Sequence, residues 1–231
     1  MSWAERIIVA LDVGSKGEVE EALDKLPQVR FVKVGMELFY SAGPQLLQIL
    51  KDRGLKIFLD LKVHDIPNTA AGAMRSLSRA GCDLLNLHCA GGLEMMQRAR
   101  EAVGEDTRLI GVTQLTSTNQ RMLNNELGIP GTVEASVLHY AQMAKKANLA
   151  GVVCSPLEVA TIKEVCGKDF LAVTPGVRPR GSATQDQKRT MTPSEALRAG
   201  SDYLVIGRPI LASPDPNGAF LKIVEEIEVE R

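Results

Sequence analysis

No stretch of the chain approaches the roughly 20 consecutive apolar residues that a membrane-spanning helix needs. The first residues, Met-Ser-Trp-Ala-Glu-Arg, lack the basic start, apolar centre and small-residue cleavage site of a secretory signal. The expectation is a cytoplasmic protein, complete and unprocessed. A basic excess is missing too: the formal net charge is -1, which argues against a dedicated nucleic-acid or membrane-surface binder. Cysteine is scarce, and no two of Cys82, Cys89, Cys154 and Cys166 stand at a C-x-x-C spacing, so neither a zinc site nor a redox pair is indicated. Cys89 ends a strand-like run, but nothing beside it marks an activated thiol. It reads, like Cys82 and Cys154, as a small core residue. At 231 residues the chain can bury a core large enough to need no disulfide or metal for folding.

What is present is a repeat of short apolar runs, each followed by a helical pattern. The runs fall at 6–12, 31–35, 56–61, 83–88, 108–113, 151–154, 170–174 and 203–206. Most are continuous rather than alternating, as expected of parallel strands covered on both faces. Val19, Ala22, Leu23 and Leu26 recur at helical spacing, as do Val133, Val137, Ala141 and Ala144. Pro67 is placed to start a helix that ends at Gly81. Ser155-Pro156-Leu157-Glu158 and Thr192-Pro193-Ser194-Glu195 are capping boxes with proline at the first helical position. Strand and helix alternate eight times with no linker, which predicts one (β/α)8 barrel over residues 1–231. A doubly wound open sheet is the alternative, but its glycine fingerprint is absent: the turn after the first run is Asp12-Val13-Gly14-Ser15-Lys16-Gly17. The least regular stretch, 114–132, reads either as a lid or as a solvated helix with its connection.

Barrel enzymes carry their chemistry at the C-terminal ends of the strands. Charged residues there are Asp12 after the first run, Lys33 in the second, and Asp60, Lys62 and Asp65 at the end of the third. Two residues apart on a strand, Asp60 and Lys62 point the same way, here into the mouth. Buried charges are costly unless paired, so this set is placed for a purpose beyond bracing the barrel. An ammonium flanked by carboxylates is a cation and proton donor rather than an amine nucleophile. Such a set suits chemistry in which negative charge develops on carbon. Asp65, past the strand end, either closes the site locally or reaches a second subunit. His64 beside it reads as structural.

A second cluster suits phosphate. Loops after the seventh and eighth strands form anion sites in many barrels. Here they hold the Thr174-Pro175-Gly176 turn with Arg178, and Gly207-Arg208, whose backbone N–H and guanidinium fit a phosphate. Gln187, in the polar loop between them, is a further donor.

The segment Asp60-Leu61-Lys62-Val63-His64-Asp65-Ile66-Pro67 resembles the D-x-K-x-x-D-I-P signature of the orotidine 5′-phosphate decarboxylases. Segments 31–37, 112–117, 174–178, 186–187 and 207–208 resemble further motifs of that family, in family order along the chain. The resemblance implies conversion of orotidine 5′-monophosphate to uridine 5′-monophosphate and CO2, with no cofactor and no metal. It implies that Lys62 gives a proton to C6, that Asp60 faces the substrate carboxylate, and that Lys33 and Asp60 hold Lys62 in place. Asp12 and Lys33 would bind ribose hydroxyls and Thr116 the pyrimidine. Pro175 would lie in the substrate pocket, and Gln187, Arg178, Gly207 and Arg208 would hold the phosphate. It further implies a homodimer in which Asp65, Ile66 and Thr69 come from the neighbouring subunit. Magnesium-dependent keto-sugar-phosphate decarboxylases and hexulose-phosphate synthases share the D-x-K-x-x-D pattern, but carry an acidic metal ligand where this chain has Lys33, and magnesium wants carboxylate oxygen there. A non-catalytic phosphate-ligand sensor would need the second cluster but not the buried charges.

Overall fold

The structure is a computed structural model that describes residues 2–179 and 191–230. Eight parallel strands close into a barrel in sequence order: β1 (Ile7–Ala10), β2 (Phe31–Gly35), β3 (Lys56–Val63), β4 (Leu84–His88), β5 (Arg108–Val112), β6 (Gly151–Val153), β7 (Leu171–Thr174) and β8 (Tyr203–Ile206). The barrel closes through β1 against β8, with Ile7 opposite Leu204. The predicted (β/α)8 architecture is therefore the one observed. The strand bounds shift by one or two residues, chiefly where terminal residues leave the ladder for the loops.

The helices form where the capping signals place them. Ser155 and Thr192 each close a capping box, with Glu158 and Glu195 reaching back to the cap N–H. Pro67 opens the helix Pro67–Arg79, which turns Ala70, Ala71 and Met74 to the core. The helix Val133–Lys146 buries Val137, Ala141 and Ala144 against the sheet. Two shells of apolar side chains result. The larger lies between the strands and the helix ring and includes Val9, Val32, Leu59, Leu85 and Phe220. The smaller fills the barrel and includes Ile8, Phe31, Phe58, Leu84, Ile110, Val173 and Tyr203.

The inner shell decides where polar residues can stand. Strand side chains alternate between faces, so Lys33, Asp60 and Asn86 follow Phe31, Phe58 and Leu84 on the inward face, one layer nearer the C-terminal mouth. Apolar side chains thus fill the barrel interior, and Lys33, Asp60 and Asn86 stand above them at the C-terminal mouth. Segment 114–132 is folded on itself. Its Leu123 is fully buried, a π-helical turn spans Met122–Glu126, and the Asn124 side chain donates to the carbonyls of Ile129 and Gly131.

Candidate active site

The mouth of the barrel holds one continuous charged network. Asp60, 8% exposed, accepts from Lys62 Nζ at 2.7 Å through Oδ1 and faces Lys33 Nζ at 3.3 Å through Oδ2. Lys33 Nζ also donates to Asp12 Oδ1 at 3.1 Å. The order Asp12–Lys33–Asp60–Lys62 alternates in sign, so each buried charge has an opposite neighbour and the desolvation cost is offset. Gly35 is opposite Asp60 in the ladder, and a side chain there would press within 3.2 Å of Lys33 Nζ. The missing Cβ keeps that space for the ammonium.

Asp60 and Lys62 meet as expected, but regular alternation is not what brings them together. Leu59 pairs with Leu85 and Val63 with Leu87, so four steps along β3 oppose two along β4. The intervening residues form a bulge, and Lys62 takes a left-handed backbone with φ 51°. For a residue with a long side chain this conformation costs roughly 1–2 kcal/mol. Bulges of this kind re-aim a side chain, and here the lysine is turned back onto Asp60. Its freed backbone N–H donates to Asn86 Oδ1 at 2.8 Å, while Asn86 Nδ2 donates to Asp60 Oδ1 at 2.7 Å. Sequence reasoning did not single out Asn86. The available signal was a lone amide in the apolar run Leu84-Leu85-Asn86-Leu87.

Asp65, Ile66 and Thr69 stand apart from this network within one chain. The Asp65 carboxylate accepts from the Ile66 N–H, and among the described residues no ion pair joins it to Lys62. Ile66 is 68% exposed, and Thr69 lies exposed in the first turn of its helix. Thr116 follows β5, half-buried. Gln114 before it donates to Ser136 and anchors the start of the segment.

On the β7–β8 side, Pro175 is half-buried and Gly176 adopts φ 78°, a conformation that favours glycine. Arg178 is buried, and one of its terminal nitrogens donates to the Val177 carbonyl. Gly207 packs against β1: a side chain there would meet Ala10 Cβ at 3.1 Å and Asp12 Oδ2 at 3.2 Å. This contact brings the end of β8 to the edge of the charge network. Arg208 begins a short helical turn and is exposed. Gln187 lies outside the described residues.

His64 and His88 lie side by side, ring centroids 5.5 Å apart, near Lys62. Burial pushes the His88 imidazole below its ordinary pKa of 6.5, with His64 and Lys62 adding to the effect and Asp60 opposing it. As pH falls, the unfolded chain therefore takes up this proton before the folded one. Stability from this group is complete above about pH 6.5 and declines as pH falls from there toward the lowered folded value. His88→Gln is expected to flatten that acid-side decline. Denaturant melts across the range that show an unchanged slope would exclude His88 as its source. Cys89 follows on β4, fully buried, its thiol pushed up to about 12 by burial. Its Sγ occupies the space left by the absent side chain of Gly111, which makes it a packing residue, as expected.

Residues 5–223 match the family described as orotidine 5′-phosphate decarboxylase / HUMPS. An orotidine 5′-phosphate decarboxylase of Streptococcus suis is 51% identical over 223 residues, covering 96% of each chain. One from Staphylococcus saprophyticus is 50% identical over 221 residues, covering 94% of this chain and 96% of the relative. Among solved structures, the orotidine 5′-phosphate decarboxylase of Lactobacillus acidophilus superposes with a TM-score of 0.86 at 39% identity, covering 96% of this chain and 99% of the other.

Proposed function

The chain belongs to the orotidine 5′-phosphate decarboxylase / HUMPS family, and we propose that it converts orotidine 5′-monophosphate to uridine 5′-monophosphate and CO2, the last step of pyrimidine nucleotide synthesis. Full-length relatives at about half identity carry that name. The observation that carries the chemistry is Lys62 Nζ held at 2.7 Å on a buried carboxylate at the barrel mouth. The whole chain, 1–231, serves as one catalytic domain, and its setting is the cytoplasm. Among the described residues no helix is long and apolar enough to cross a membrane.

In the reaction the C6–carboxylate bond breaks and its electron pair stays on C6. A proton from Lys62 Nζ closes that valence, and solvent restores the ammonium. A fixed cation beside the developing carbanion stabilises it without reorganisation. Asp60 faces the substrate carboxylate, and binding energy from the distant phosphate offsets that unfavourable approach. Lys33 holds Asp60 and, with Asp12, binds ribose hydroxyls. Thr116 meets the pyrimidine, and Pro175 lines the pocket. Arg178, Gln187, Gly207 and Arg208 hold the phosphate. No cofactor takes part. The ammonium of Lys33 stands between Asp12 and Asp60, where a magnesium enzyme of the same fold needs carboxylate oxygen.

The working unit is a homodimer. Asp65, Ile66 and Thr69 follow the end of β3 at the mouth yet face solvent, and the 68% exposure of Ile66 fits a residue covered by a second copy, whose site it completes.

Two experiments test the reading. Side-by-side assays should give turnover with orotidine 5′-monophosphate and none with keto-sugar phosphates plus magnesium; the reverse would transfer the chain to the other branch of the family. Arg208→Ala is expected to weaken uridine 5′-monophosphate binding by about 10- to 100-fold, the scale of a lost charge-assisted contact, and to leave uridine binding nearly unchanged. Equal losses in calorimetric titrations would remove Arg208 from the phosphate site.

A further inference from the structure

We propose that Asn86 is a positioning residue that sets the reactive geometry of Lys62, a role that rests on the decarboxylase reading above. Three observations converge on it. The bulge in β3 takes the Lys62 N–H out of the ladder between Leu59 and Val63, and Asn86 Oδ1 receives it at 2.8 Å. Asn86 Nδ2 donates at 2.7 Å to Asp60 Oδ1, the same oxygen that accepts from Lys62 Nζ. Asn86 itself is 1% exposed, so no water competes for either bond.

One side-chain amide thus grips the lysine at both ends, its main chain directly and its ammonium through the shared carboxylate. An amide does both at any pH, because it offers an acceptor and donors in one rigid plane. An apolar side chain of this size would leave the Lys62 N–H and an Asp60 lone pair unfilled, a costly state in a dry interior. A carboxylate would accept from Lys62 but repel Asp60. The left-handed backbone of Lys62, φ 51°, is intrinsically unfavourable and persists only where its surroundings over-determine it. Asn86 supplies that constraint. Without it the bulge relaxes toward ordinary φ, and the ammonium leaves the line toward the reacting carbon.

The test uses Asn86→Ala and Asn86→Asp in the full-length protein beside wild type. For Asn86→Ala, kcat is expected to fall about 100-fold, the scale of a 1 Å misplacement. Binding of uridine 5′-monophosphate should change by less than about 3-fold, since ground-state contacts remain. Exchange of the Lys62 amide proton, followed by NMR, should accelerate. For Asn86→Asp, which keeps the shape of the side chain and guards against a folding failure of the alanine variant, the introduced carboxyl faces Asp60 and Lys62, with Lys33, His64 and His88 around them. It can donate to Asp60 only when protonated, so the ratio of its kcat to that of wild type should rise as pH falls. A residue that merely fills space would give a flat ratio. The proposal is overturned by wild-type kcat in Asn86→Ala, by equal proportional losses of kcat and product affinity, or by a pH-independent ratio in Asn86→Asp. Absence of turnover in wild type would defeat the decarboxylase reading instead, and the Lys62 exchange rate would still judge the clamp.

Discussion

Lys62→Ala is expected to lower decarboxylation of orotidine 5′-monophosphate by at least about 10⁴-fold, combining a lost proton donor, worth roughly 10²–10⁴, with a lost electrostatic stabiliser, worth roughly 10²–10³. Product binding should survive, because the phosphate and ribose contacts assigned to Arg178, Arg208, Asp12 and Lys33 come from β2 and from the segments after β1, β7 and β8. The geometry supports so large an effect. The ammonium is held at 2.7 Å by a carboxylate that is itself held by Lys33 and Asn86, so no neighbouring group is free to take its place. Near wild-type turnover in this variant would end the assignment of Lys62. The same variant tests the proposal that the site is shared between two subunits. Mixed with Asp65→Ala under conditions that exchange subunits, it should regain activity, because each heterodimer contains one site with both residues intact. No recovery, with exchange verified by mass, would place Asp65 in its own subunit's site.

Asp60→Ala is expected to damage folding as well as catalysis. Asp60 is the acceptor on which Lys33, Lys62 and the Asn86 amide all converge. Removing it leaves two ammonium groups adjacent in the mouth, Lys33 with only 11% of its side chain exposed. Breaking a buried pair by deleting one partner costs about 3–5 kcal/mol, an upper bound here because Lys33 keeps Asp12 and Lys62 is 26% exposed. In a domain of this size each kcal/mol lowers Tm by roughly 2–4 °C, so the fall should be plain in a thermal melt. A Tm equal to wild type would show that water enters the mouth freely enough to solvate both lysines, and would weaken the view of a dry, preorganised site.

The barrel was legible in the sequence because parallel strands covered on both faces read as apolar runs, and because proline and capping boxes mark where helices begin. Strand ends were less legible. Whether Leu11 and Asp12 belong to β1 depends on neighbours in space, and β3 runs on to Val63 only through a bulge. The meeting of charges at the mouth was also legible, since Asp60, Lys62 and Lys33 interrupt strands that are largely apolar. What the linear pattern hid was the way they meet. Alternation predicts the contact of Asp60 with Lys62, yet the contact is made through a left-handed residue whose backbone N–H is received by Asn86, 24 positions away. The lone amide in the run 84–87 marks a polar position, but nothing in that strand says that it answers a backbone defect on the next. Asp65, Ile66 and Thr69 pose the same problem at a higher level, since the surface they are proposed to complete lies on another copy of the chain.

The most direct measurement follows the ultraviolet absorbance of orotidine 5′-monophosphate on addition of the purified protein in EDTA. The expected result is loss of the orotate band with stoichiometric appearance of uridine 5′-monophosphate. An unchanged spectrum in EDTA, with turnover restored by magnesium, would contradict a mechanism built on Lys62 and its paired carboxylate alone.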